Sequence, residues 1–206
     1  MDSQAKVDDY LPDNQRYTLD EYFELEENSE FRHEYHDGYI VPITSATENH
    51  GRIVSNMVFL LQNCLRNTEC DVFASDRPVY SKAYNWVFYP DVMSVCGERK
   101  YYEHSKNVRA TVNPSILIEV ISPSTQHIDR SLKLRCYRRL SSLKQFVIIE
   151  QDFIFIEIYE QDETGRWTAK IYDEENDIIQ LNDCIISVKE IYHKVDLIEP
   201  DSASGE

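Results

Sequence analysis

Two acidic side chains interrupt apolar segments that read as core strands, and this feature constrains the fold most. Residues 86–92 end in Pro90-Asp91-Val92, and residues 115–121 carry Glu119 among isoleucine, leucine and valine. Burying a carboxylate costs several kcal/mol unless it is paired or bound to a metal. Two such acids on strands that are expected to be neighbours suggest that one interaction stabilises both carboxylates. A divalent cation held by both carboxylates would be such an interaction.

A lysine follows these acids on a helix predicted over residues 127–140. Asp129, Lys133 and Tyr137 are spaced i, i+4 and i+8 on that helix and share one face. A lysine beside two carboxylates could polarise a water or neutralise charge on a phosphate. The alternative is a surface ion pair between Asp129 and Lys133, with Glu119 a hydrogen-bonded structural acid. The spacing leaves both readings open.

Length and composition bound the class of protein. A chain of 206 residues fits one domain with a substantial core. We expect a flexible segment 1–16, a single domain 17–198 and a disordered tail 199–206. The apolar runs are far shorter than the ~20 residues that span a bilayer, and the chain opens on no secretory leader. This predicts a cytoplasmic protein without a membrane partner. The cysteines, an odd number without a CxxC pair, are expected to be reduced thiols rather than zinc ligands.

Charge is distributed unevenly along the chain. The net charge is −16, and residues 150–206 hold sixteen acids against four bases, which leaves −4 for residues 1–149. A negative chain argues against general nucleic-acid affinity, yet the first part could still present a basic surface. The alternative is a solvated helix face. Residues 130–144 contain no acid and six bases, namely Arg130, Lys133, Arg135, Arg138, Arg139 and Lys144.

Local patterns predict a mixed sheet flanked by helices. Thr18 begins a capping box, so a helix is predicted from Leu19, and Asp37-Gly38 is typical of a hairpin turn. Apolar periodicity predicts a helix over 48–66, while residues 97–113 read as a long connection. Strands are predicted at 70–74, 78–80, 86–95, 115–121, 145–150, 153–160, 167–172 and 177–181.

Several motifs occur together in a fixed order. They are Glu34-x-x-Asp37-Gly38, His50 opening a helix, Tyr89-Pro90-Asp91-Val92, Ile118-Glu119-Val120-Ile121-Ser122-Pro123-Ser124-Thr125, and Asp129-Arg130-x-x-Lys133-x-x-x-Tyr137-Arg138. In this order, from about Tyr17 to Tyr172, the chain resembles the Uma-two family. That family consists of restriction-endonuclease-like proteins within the PD-(D/E)xK nuclease superfamily.

The resemblance implies an α/β fold with a restriction-endonuclease-like core, in which helices flank a central mixed β-sheet. It also implies a nuclease that hydrolyses DNA with Mg²⁺ or Mn²⁺. Asp91 corresponds to the metal-binding aspartate, Glu119 to the acid of the (D/E)xK element and Glu34 to a further metal-binding glutamate. The chain departs from the superfamily pattern at Ile121, where a lysine is usual. In this family that lysine is moved to the following helix, which fits Lys133.

The expected partner is DNA, tracked by Arg130, Arg135, Arg138 and Arg139, with residues 150–206 lying away from that surface. A homodimer would bring two sites to the two strands of a duplex. A role of His50 in metal binding or proton transfer competes with capping or hydrogen bonding. The rival function is a catalytically inactive nuclease-fold protein that acts as a binding or assembly module. RNA in place of DNA is a further alternative.

Overall fold

The computed structural model describes residues 15–43, 46–105, 108–121 and 129–198, and for residues 129 and 130 the backbone alone. The predicted flexible segment and tail fall largely outside these ranges. Arg16, which the flexible segment was expected to include, is held in place. Its guanidinium donates to the Asp37 carbonyl at 3.0 Å and lies over the Tyr39 ring.

In the described part of the chain, the strands form two six-stranded sheets and one two-stranded sheet, which is a short hairpin. Sheet I has the spatial order β2 (Tyr39–Pro42), β1 (His33–His36), β5 (Trp86–Phe88), β4 (Val79–Ser81), β8 (Arg109–Thr111) and β7 (Tyr101–Glu103). Sheet II has the order β12 (Trp167–Tyr172), β11 (Ile156–Gln161), β10 (Gln145–Glu150), β9 (Ile116–Ile121), β6 (Val92–Cys96) and β3 (Cys70–Ala74). The hairpin consists of β13 (Ile178–Leu181) and β14 (Cys184–Ser187).

Helices cover the sheets. Helix α1 (Leu19–Asn28) begins at Thr18, where the predicted capping box is present. Helix α2 (Glu48–Leu65) packs on sheet II together with the hairpin and with α4 (Val188–Ile191). A π-helical turn, Asp129–Lys133, leads into the short α3, Leu134–Tyr137. The mixed α/β architecture with flanking helices confirms the predicted fold class.

Three apolar clusters form the core of the described ranges. One apolar cluster joins α2 and the hairpin to sheet II, and a second joins α3 to the facing sides of both sheets. The third places α1 against the outer side of sheet I. Side chains of β9 alternate between the first two clusters, with Ile116 and Ile118 in one and Leu117 and Ile121 in the other. Glu119 shares the parity of Leu117, so it points toward α3.

Three sequence-based boundaries are wrong. The strand predicted over 86–95 is two strands, β5 in sheet I and β6 in sheet II, separated by Tyr89-Pro90-Asp91. Pro90 has no N–H for a ladder, which allows the chain to leave one sheet and enter the other there. The connection 97–113 contains β7 and β8. The helix predicted over 127–140 is described from Asp129, begins as a π-helix and ends its α-helical part at Tyr137.

The cysteine prediction is also wrong for four of the five residues. Cys64 forms a disulfide with Cys184, and Cys70 forms one with Cys96. Cys70 and Cys96 are register partners of β3 and β6, a relation that sequence spacing does not reveal. Cys136 is a buried thiol, and burial raises its pKa to about 12.

Within the described ranges, no helix combines the length and apolarity needed to cross a bilayer.

Candidate active site

Glu119 lies at the centre of the candidate site and is 3% exposed on strand β9. Its Oε1 accepts a hydrogen bond from the Tyr137 hydroxyl at 2.7 Å. Its Oε2 accepts one from the Lys133 ammonium at 3.1 Å. The buried carboxylate therefore has partners on both oxygens, as the cost of burial requires.

Lys133 joins Glu119 to a second acid from the other sheet. Its Nζ lies 3.3 Å from Glu34 Oε1, and the lysine is 8% exposed. The π-helical turn ends at Lys133 and α3 ends at Tyr137. Both side chains therefore reach Glu119 from the helical segment that follows β9. Such π-turns often occur at functional sites. One ammonium thus lies between two carboxylates that are distant in sequence.

Glu34 has a second partner on its own strand. The His36 Nε2 lies 2.9 Å from Glu34 Oε2, and the His36 ring stacks on Trp86 at 4.3 Å between centroids. Burial raises the pKa of Glu34, but the Lys133 charge and the His36 hydrogen bond outweigh it and lower the pKa to about 2. Glu34 is therefore ionised at neutral pH.

Asp91 is directly beside the end of β9, although it lies in the connection before β6 and not inside a strand. Val92 pairs with Ile118 in the antiparallel ladder, so Asp91 and Glu119 come next on the two chains. The predicted adjacency of the two segments is therefore confirmed, although Asp91 lies just before β6 and Glu119 lies within β9. The convergence of their carboxylates on one ion stays a prediction. Asp91 Oδ2 accepts the Val120 backbone N–H at 2.8 Å and lies 3.2 Å from His50 Nε2.

His50 occupies the first turn of α2, which Thr47 caps through its side-chain oxygen. The His50 backbone N–H donates to that cap at 3.2 Å, and its ring contacts Asp91. Of the alternatives for His50, the structure shows a hydrogen-bonding position beside the site. A proton-transfer role stays a hypothesis.

Two site residues carry a signal that sequence reasoning passed over. His36 and Glu34 lie on one face of β1, and the Glu-x-His pattern could have indicated their contact. Helical spacing places Tyr137 on the same face as Lys133, which could have indicated that both side chains contact Glu119. Burial and the charge of Glu119 hold the pKa of Tyr137 well above its ordinary value, so its hydroxyl remains a donor to Glu119.

The donor set can be tested against the expected metal. Across residues 15–43, 46–105, 108–121 and 129–198, no three or more His, Cys, Asp and Glu side chains are grouped to hold an ion. Mg²⁺ usually takes one or two carboxylates and keeps several waters. Asp91 and Glu119 supply hard oxygen donors of that kind. The donor chemistry fits Mg²⁺ or Mn²⁺, and a cation at Glu119 would compete with Lys133.

The arginines proposed to contact DNA have unequal surroundings. Arg135 donates from Nε to the Tyr84 hydroxyl at 3.2 Å, and Arg138 lies 5.8 Å from the centre of the Trp167 ring. Arg139 is exposed, and the side chain of Arg130 lies outside the described part of the chain. Because Trp167 opens β12, the expectation that residues 150–206 lie away from the arginines is wrong at this contact.

Comparison with known proteins relates this fold and site to a family. Two uncharacterized proteins of Synechocystis sp. are similar, at 31% identity over 73% of this chain and 84% of the relative, and at 28% identity over 74% and 78%. The crystal structure of a "putative nuclease belonging to DUF820" from Anabaena variabilis matches with a TM-score of 0.68 and 19% identity. That match covers 85% of this chain and 97% of the other, and it shows a shared nuclease-like fold.

A family model gives the more specific result. The model named Uma2 and described as "Putative restriction endonuclease" matches residues 19–189, which include Glu34, Asp91, Glu119 and Lys133. The resemblance inferred from the motifs is thereby confirmed. The chain belongs to the Uma2 family of restriction-endonuclease-like proteins.

Proposed function

We propose that the protein is a metal-dependent nuclease that hydrolyses phosphodiester bonds in DNA. The observation that carries this proposal is the buried Lys133 ammonium, which lies 3.1 Å from Glu119 and 3.3 Å from Glu34. A structural ion pair needs one acid. Here Lys133 bridges Glu34 and Glu119, which come from different sheets, and Asp91 follows Val92 out of the β6–β9 ladder next to Glu119. Acids and a cation brought together in this way are suited to hydrolysis of a phosphodiester.

Asp91 and Glu119 would hold Mg²⁺ or Mn²⁺, with Glu34 available for a second ion or for contact through water. A bound divalent ion lowers the pKa of a water and polarises a phosphate oxygen. The chain's own residues supply positioning. His50 and the Val120 amide fix the Asp91 carboxylate, and Tyr137 fixes Glu119.

Lys133 would provide positive charge where negative charge develops on the phosphate. Its ammonium has three donors, and Glu119 and Glu34 orient it at a buried position. In this role Lys133 would stabilise the phosphate or orient the attacking water, as the usual superfamily lysine does from position 121.

DNA would approach along the basic helix. Arg139 and Arg138 are exposed at its end, and phosphate contacts of this kind give salt-dependent binding. Cutting both strands of a duplex calls for two sites, which a homodimer on DNA would supply.

The test is cleavage of plasmid and oligonucleotide DNA with Mg²⁺ or Mn²⁺, paired with calorimetry of Mn²⁺ binding. Asp91→Ala is expected to abolish both, and Lys133→Met is expected to lose turnover while retaining Mn²⁺ binding. Asp162→Ala is the control, since Asp162 also accepts backbone N–H groups but sits in the hairpin after β11. Equal Mn²⁺ binding by wild type and Asp91→Ala would refute the metal assignment.

A binding or assembly module is the competing function. The specific observation in its favour is that both Glu119 oxygens already accept hydrogen bonds, from Lys133 and Tyr137. Such a closed arrangement would be stable without a metal. A protein that binds DNA or a protein partner but retains no Mn²⁺ would support this alternative.

A further inference from the structure

A further buried carboxylate, that of Glu26, lies outside the candidate site and contacts segments that carry its acids. Glu26 is on the last turn of α1 and is 3% exposed. Its Oε1 accepts the His33 backbone N–H at 2.9 Å and lies 2.7 Å from His33 Nδ1. Its Oε2 accepts a hydrogen bond from the Tyr89 hydroxyl at 2.9 Å. A buried acid with this many partners is structurally committed, because removing it would leave several polar groups without a partner.

The partners of Glu26 are adjacent to the acids of the site. His33 immediately precedes Glu34 on β1, and Tyr89 comes two residues before Asp91 in the connection from β5 to β6. Helix α1 holds His33 a second time, because the Tyr22 hydroxyl donates to the His33 carbonyl at 2.7 Å. One helix therefore anchors two segments that carry different site acids.

The Asp91 segment needs such an anchor. Residues 89–91 belong to no strand, and Pro90 cannot donate to a ladder. The described contacts of the Asp91 carboxylate are with His50 and the Val120 amide. The Tyr89 hydroxyl is thus a fixed point at the entry of this segment, and Glu26 holds that hydroxyl.

We propose that Glu26 and Tyr89 are positioning residues that set the separation of the Glu34 and Asp91 segments within the candidate site. The proposal rests on the nuclease function proposed above, because it concerns the geometry of that site. A displacement of about 1 Å in a catalytic group can cost about 100-fold in rate. Loss of the Glu26–Tyr89 contact should therefore affect turnover more than folding.

The experiment compares two matched deletions of a hydroxyl. Tyr89 and Tyr192 are 8% and 6% exposed, and each hydroxyl is hydrogen-bonded. The Tyr192 hydroxyl donates to the Glu150 carbonyl and accepts the Phe155 N–H, within the layer of α2 and α4. Tyr89→Phe and Tyr192→Phe should lower Tm by similar amounts. Only Tyr89→Phe should lower kcat, by about tenfold or more, with KM for DNA unchanged.

Glu26→Gln tests whether the two residues act through one contact. Its effect on kcat and that of Tyr89→Phe should be less than additive in the double variant. Additive effects, or equal kcat in Tyr89→Phe and Tyr192→Phe, would overturn the proposal.

A second measurement is independent of any nuclease activity. The Val120 amide donates to Asp91 Oδ2, so its hydrogen exchange in the full chain, followed by NMR, reports whether Asp91 is in place. Tyr89→Phe should accelerate this exchange by about tenfold, the effect of one weakened hydrogen bond, and Tyr192→Phe should not. If the wild-type protein cleaves no DNA, the proposed nuclease function is refuted. The exchange rate of the Val120 amide still tests whether Glu26 and Tyr89 position Asp91. Unchanged Val120 exchange in Tyr89→Phe would refute this positioning role.

Discussion

Replacing Lys133 with methionine tests the charge arrangement of the site through stability. Methionine keeps most of the side-chain length but removes the ammonium that lies between Glu119 and Glu34. The two carboxylates are 4% and 12% exposed at their side chains, so solvent screens them weakly. Removing one partner of a buried ion pair typically costs about 3–5 kcal/mol, because the remaining charge is left buried.

For a chain of this size each kcal/mol lowers Tm by about 2–4 °C, so Lys133→Met should melt roughly 6–20 °C below wild type at pH 7. Calorimetry or circular dichroism would measure the shift. Lys189→Met is the control, because Lys189 and Glu175 form an ion pair with side chains 68% and 54% exposed. Exposed pairs contribute about 0–1 kcal/mol, so this control should melt close to wild type.

The pH dependence makes the test specific for charge. In Lys133→Met the pKa of Glu34 is no longer held low, so the buried carboxyl can take up a proton in acid. The difference in Tm between Lys133→Met and wild type should therefore be largest at neutral pH and should narrow below about pH 4. A deficit that is small at pH 7, or equal at pH 7 and in acid, would refute the reasoning.

Two further predictions concern acid stability and DNA binding. The pKa of Glu34 is lowered to about 2 in the folded protein, so its ionised carboxylate adds fully to the free energy of unfolding above the pKa of an unfolded glutamate. This stabilisation, of about 3 kcal/mol, is lost as the pH falls toward 2. Glu34→Gln should lack this loss when the free energy of unfolding is measured across acid pH. Arg138→Glu combined with Arg139→Glu should weaken DNA binding with Ca²⁺ present and reduce the slope of log K against log salt by about one for each lost phosphate contact, measured by fluorescence anisotropy. Arg166→Glu, whose side chain is 80% exposed on the β11–β12 hairpin, is the control, and absence of DNA binding at low salt would contradict the prediction.

Local patterns in the sequence determined much of the site. Alternation along β9 places Glu119 on the side of Leu117 and Ile121, and helical spacing puts Lys133 and Tyr137 on one face. These relations depend on side-chain direction within a few residues, which backbone periodicity fixes. The Asp37-Gly38 turn was also predictable from local sequence, because both residues adopt the positive φ that such a turn requires.

Only the tertiary structure decided how distant segments meet. The chain leaves sheet I at Tyr89 and enters sheet II at Val92, which turned one predicted strand into two and set Asp91 beside Glu119. Glu34 reaches Lys133 from the other sheet, and Glu26 reaches Tyr89 from α1. The disulfide Cys64–Cys184 likewise joins elements far apart in sequence. Such contacts depend on how layers pack around a common core, and a short sequence window encodes which face is apolar but not which element will cover it.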